Sequence, residues 1–94
     1  MNPFLDAIKR RVLVLDGAMG TLLQERGLPP GGCPELMNRT APDVVAGIHR
    51  EYAEAGADII VTNTFGGNRP KLDHYGLAGE VLEFNRRGVE LARR

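Results

Sequence analysis

Val12-Leu13-Val14-Leu15-Asp16-Gly17-Ala18-Met19-Gly20-Thr21 decides the fold class of this 94-residue chain. Its first four residues are apolar and β-favouring, and the run stops at Asp16-Gly17. Apolar side chains on both faces predict a strand covered on both sides, as in a parallel sheet. Asp58-Ile59-Ile60-Val61-Thr62-Asn63-Thr64-Phe65 repeats the pattern, ending at Gly66-Gly67, and predicts a second strand. Between them Thr40-Ala41-Pro42-Asp43 is a helix start, with Thr40 as cap and Pro42 in the first turn. Val45, Ile48, Tyr52 and Ala55 then fall on one face, so a helix is expected over 41–55.

Working outward, Asn2-Pro3 reads as an N-cap with proline at the first helical position, giving a short helix over 3–10 with a basic end. Thr21 to Arg26 predicts a short helix closed by Gly27. Residues 28–40, with Pro29-Pro30-Gly31-Gly32 and Pro34, read as a long loop. Lys71 to Tyr75 predicts a helical turn. Gly79 to Arg94 predicts a helix with Val81, Leu82, Asn85, Val89 and Ala92 on one face, and Arg86, Arg87, Arg93 and Arg94 on its solvated side. Strand–helix alternation makes the class α/β with parallel βαβ units. Nothing in the composition marks a domain boundary inside 1–94.

Composition narrows the function classes. Apolar residues are 43% and charged residues 26%, ordinary for a soluble domain. Net charge is zero, and aromatics are 5% with no Trp, which argues against nucleic acid or an anionic membrane as partner. The single cysteine, Cys33, excludes an internal disulfide, and no apolar run has signal-peptide or membrane-spanning length. A cytoplasmic protein is expected.

Two strand ends carry the candidate chemistry. Asp16-Gly17-Ala18-Met19-Gly20-Thr21 follows the first strand, where parallel α/β folds gather ligands. Gly17 and Gly20 let backbone N–H groups approach an anion, and Asp16 suits an ammonium group. Read as plain structure, the same residues make a tight turn with Asp16 capping the next helix. Thr62, Asn63 and Thr64 finish the second strand with polar side chains, suited to a barrel mouth or simply to satisfying a loop. Cys33 has no second cysteine and no histidine at short ligand spacing, so it reads as a loop residue without chemistry. His49 reads as a surface or helix-packing residue, and Glu35 and His74 as exposed loop residues.

Val14-Leu15-Asp16-Gly17-Ala18-Met19-Gly20-Thr21 resembles the opening strand and loop of homocysteine S-methyltransferase domains. Pro34-Glu35-Leu36-Met37-Asn38, Ala41-Pro42-Asp43-Val44-Val45 with Ile48-His49 and Tyr52, Ala55-Gly56-Ala57-Asp58-Ile59-Ile60, Thr62-Asn63-Thr64-Phe65-Gly66, Lys71-Leu72 and Tyr75-Gly76-Leu77 follow in the same order. The resemblance covers nearly the whole chain and is closest to cobalamin-dependent members. It implies a (β/α)8 TIM barrel of about 250 residues. It also implies a zinc ion on three cysteine thiolates that lowers the pKa of the homocysteine thiol before methyl transfer. Asp16, Gly17 and Ala18 would hold the amino-acid end of homocysteine, and Thr62 and Asn63 would line the same mouth.

The family's zinc cysteines lie on later strands, and Cys33 matches none of them. The expectation is therefore an incomplete barrel: its first two βα units after a short N-terminal helix, with residues 1–94 as the N-terminal part of a homocysteine-binding domain. No catalytic residue and no metal ligand is assigned within the chain, which is expected to be inactive alone. Cobalamin or folate would enter only through other domains. The alternative is a non-catalytic assembly or binding module, partnered by a complementary barrel fragment or by itself, because open strand edges invite pairing.

Overall fold

The computed structural model describes residues 2–94. Helix α1 (Pro3–Arg10) forms as expected: the Asn2 side chain accepts from Phe4 N–H at 3.0 Å and Leu5 N–H at 3.2 Å. It buries none of its residues, so Phe4, Leu5 and Ile8 stay about half exposed. Helix α2 (Gly20–Glu25) has no side-chain cap, and Asp16 does not serve it.

Residues 28–40 are more ordered than a loop. Pro34–Leu36 is a turn of 3₁₀ helix and α3 (Met37–Thr40) follows it directly. Proline at the first position starts the turn, and burial of Glu35, Met37 and Asn38 holds it. Helix α4 (Pro42–Glu54) starts where Pro42-Asp43 place it, but Thr40 does not cap it. Thr40 ends α3, and its hydroxyl donates back to the Leu36 carbonyl at 3.3 Å. Val45 and Ile48 are fully buried, while Ala55 is exposed.

The two expected strands meet at one parallel bridge, Leu15 to Ile59. Asp16 N–H donates to the Ile59 carbonyl at 3.0 Å, and Asp58 and Ile59 N–H donate to the Val14 carbonyl at 2.8 and 3.2 Å. The bridge is parallel, as expected, but it is isolated: no strand forms among the described residues, so the expected βα units are not seen as such. The strand expected over 58–65 is cut short because its polar end turns: Thr64 N–H donates to the Thr62 carbonyl at 2.9 Å, and Gly67 N–H to the Thr64 carbonyl at 3.0 Å.

Helix α5 (Arg69–Asp73) starts two residues before the expected turn, because Asn68 caps it through Lys71 N–H at 3.0 Å. After a 3₁₀ turn at Ala78–Glu80 comes α6 (Val81–Ala92). Its buried face is Phe84, Gly88 and Leu91, not the face expected from the sequence; Leu82 is 81% exposed. Gly88 explains the choice. A Cβ there would lie 2.7 Å from Thr64 Cγ2, so α6 crosses the second strand end too closely for any other residue.

One apolar cluster joins α2, α3, α4 and α6 through Leu23, Leu28, Met37, Val45, Ile48 and Leu91. A second joins Cys33, Leu72 and Phe84. The expected arginine face holds: Arg86 pairs with Glu90, Arg87 with Glu83, and Arg94 with Asp43.

Candidate functional site

Asp16 stands where the parallel bridge ends. Its carboxylate accepts from Val61 N–H at 3.1 Å, tying the first strand end to the residue before Thr62. Gly17 and Ala18 follow as an exposed turn. From α4 beneath, the Tyr52 hydroxyl donates to the Ala18 carbonyl at 2.7 Å. The Thr62 and Thr64 hydroxyls lie 2.6 Å apart and share a hydrogen bond.

Asn63 is only 5% exposed and its side chain is engaged inward. Its amide donates to the Pro34 carbonyl at 2.9 Å and to Asn38 Oδ1 at 3.0 Å. Asn38, fully buried, donates in turn to the backbone carbonyls of Asn63 at 2.9 Å and Phe84 at 3.0 Å. This closed network fastens the second strand end to α3 and α6. Of the five residues singled out in the sequence, Asp16, Gly17, Ala18 and Thr62 thus share one edge, and Asn63 supports it from inside.

Glu35 corrects the expectation of an exposed loop carboxylate. It is 4% exposed and accepts from Gly66 N–H at 2.9 Å. With Phe65, Lys71, His74 and Tyr75 it lines a cleft of about 390 Å³. The Lys71 ammonium sits 4.8 Å from the centre of the Phe65 ring, a cation–π contact. Nothing in the spacing of the 28–40 segment foretold this burial; only the Pro34-Glu35 start of a turn hinted at it.

Cys33 is buried, and its thiol donates to a Glu35 carboxylate oxygen at 3.6 Å. Burial pushes the thiol pKa up, with the Glu35 charge adding to the rise. Among the described residues no group of three or more His, Cys, Asp or Glu side chains is placed to hold a metal ion. The described residues therefore make no zinc site by themselves.

His49 is a helix-packing residue, 4% exposed, with neither ring nitrogen hydrogen-bonded among the described residues. Burial lowers its pKa, and the Asp16 charge partly opposes this. His74 lines the Glu35 cleft and is exposed. No helix among the described residues is long and apolar enough to cross a membrane.

Comparison with known proteins adds sequence evidence to this geometry. Residues 13–94 match the family model described as homocysteine S-methyltransferase. Proteins named methionine synthase from Mycobacterium leprae and Mycobacterium tuberculosis are each 47% identical over 98 aligned positions, which cover 96% of this chain. The chain spans 8% of the length of each.

Proposed function

Since the chain belongs to the homocysteine S-methyltransferase family, we propose that it supplies the amino-acid-binding edge of a homocysteine-binding domain. Residues 1–94 form the N-terminal part of that domain, the first two βα units of a TIM barrel. Its reaction is methyl transfer from a methyl donor to the thiol of homocysteine: the donor–CH₃ bond breaks as the S–CH₃ bond forms, the thiol proton is lost, and methionine and the demethylated donor result. The observation that carries the reading is the edge itself. Asp16, Gly17 and Ala18 stand beside Val61–Thr62 at the end of the bridge, within the stretch that matches the family.

In this reading the Asp16 carboxylate holds the substrate ammonium group. The turn at Gly17–Ala18 offers N–H groups to its carboxylate. Thr62 lines the same mouth and Asn63 fixes it. With no metal-holding cluster among the described residues, the contribution assigned to them is to bind and orient. Cobalamin or folate belongs to other domains, and the compartment is the cytoplasm. Incubating the 94-residue protein with zinc, homocysteine and a methyl donor should give no turnover. Appreciable turnover, or tight stoichiometric zinc binding, contradicts the reading.

A second reading, an assembly module, rests on the bare strands: Val12, Val14, Leu15 and Val61 are all more than half exposed. Apolar surface of this kind marks association. Light scattering should find self-association or pairing with a complementary barrel fragment. A well-folded monomer that pairs with neither counts against it.

A further inference from the structure

We propose that Tyr52 is a positioning residue for the substrate carboxylate, acting through the Gly17–Met19 turn; this rests on the reading of Asp16–Ala18 as the amino-acid-binding edge. Tyr52 projects from α4, one turn beyond Ile48, and its ring packs partly buried against the main apolar cluster. Its hydroxyl donates to the Ala18 carbonyl at 2.7 Å, a good length for an O–H···O bond. Gly17 and Ala18 lie between the bridge and α2. Among the described residues, no backbone hydrogen bond holds either of them. The tyrosine is the tie that sets their conformation.

The tie has a direction. A trans peptide is planar, with its C=O and N–H on opposite sides. Turning the Ala18 carbonyl toward α4 therefore turns the Met19 N–H away from α4. A carboxylate held beside Asp16 on the open side meets a donor already oriented. Gly17 is part of the same device: a Cβ at this position would stand 2.9 Å from the Tyr52 hydroxyl and 3.1 Å from its ring. The glycine lets the phenol pass close beneath the turn, and a side chain there would push it off Ala18.

The device predicts a carboxylate-specific effect. The 94-residue protein is titrated with homocysteine and with 3-aminopropanethiol, which lacks only the carboxylate. Tyr52→Phe should weaken homocysteine binding about 2- to 10-fold, the range of one hydrogen bond, and leave the analogue unchanged. Gly17→Ala should act likewise. Tyr52→Phe combined with Gly17→Ala should lose less than the product of the single losses, since the clash is relieved. Equal weakening of both ligands by Tyr52→Phe, or none, overturns the proposal. Asp16→Asn separates this from the underlying reading. If Asp16→Asn weakens homocysteine and Tyr52→Phe does not, only the role of Tyr52 fails. If the unmodified protein binds no homocysteine, or Asp16→Asn changes nothing, the edge itself is misassigned and the proposal falls with it.

Discussion

The helical layer of this chain and the two apolar segments that meet at the bridge face opposite fates. Between the helices an apolar core closes: Phe84, Leu23, Ile48, Leu72 and Val45 are fully buried, and the polar Asn38 among them is fully bonded. The segments that meet at the bridge are strongly apolar, yet Val12 is 85% exposed and Leu15 58%. The two regions differ in what the chain provides opposite them. The helices pack on one another, whereas Val12, Val14, Leu15 and Val61 around the bridge stay more than half exposed. Hydrophobicity alone does not bury a residue; a facing surface must exist.

Perturbations should therefore fall unevenly on the two regions. The largest effect is expected from Phe84→Ala, which empties a fully buried aromatic site beneath α6. Urea unfolding should show a loss of about 3–5 kcal/mol. Asn38→Ala comes next. It leaves the Asn63 and Phe84 carbonyls buried without their donor, at a cost of about 1–3 kcal/mol by the same measurement. A loss from either that is no greater than at Val12 breaks the comparison.

Acid should sharpen it. Burial depresses the His49 pKa in the folded state, so the unfolded chain binds the proton more readily. Stability from this residue is complete above the unfolded value, about 6.5, and declines as pH falls from there toward the lower folded value. Asp16 softens the effect, and Arg50 and Arg94 line the same pocket. Replacing His49 with Gln should flatten the unfolding midpoint between pH 6.5 and 5; an unchanged slope removes His49 as its cause. A separate fall begins near the unfolded carboxylate value, about 4, where Asp58 of the unfolded chain takes up a proton that the folded carboxylate, held low by Arg11 and by Val14 N–H, still resists. The smallest effect is expected at Val12→Thr, within about 0.5 kcal/mol, because the side chain is already in water.

The same contrast explains what the sequence made legible. Local rules placed α1 and α4, since Asn2-Pro3 and Pro42-Asp43 carry their own start signals. The parallel sense of the Leu15–Ile59 contact was readable from two apolar runs flanking a helix, but among the described residues the runs form one bridge and no strand. The buried face of α6 was not. Leu82 and Val89 outrank Gly88 in hydropathy, and only the closeness of Thr64 selects the glycine. Glu35 was missed because burial of a carboxylate depends on the distant Gly66 N–H. At the site, Asp16, Gly17 and Ala18 were legible as a motif, but Tyr52 was visible only as a core position. Its hydroxyl acquires meaning from a carbonyl 34 residues away.

Binding of the amino-acid end of homocysteine at the Asp16–Ala18 edge is the proposal on which the rest depends. Backbone amide spectra recorded during a homocysteine titration test it most directly. The expected result is saturable shifts at Gly17, Ala18 and Met19, with smaller ones at Thr62 and Asn63. Shifts absent from these amides, or gathered instead at Glu35, Phe65 and Lys71 in the neighbouring cleft, would contradict the account.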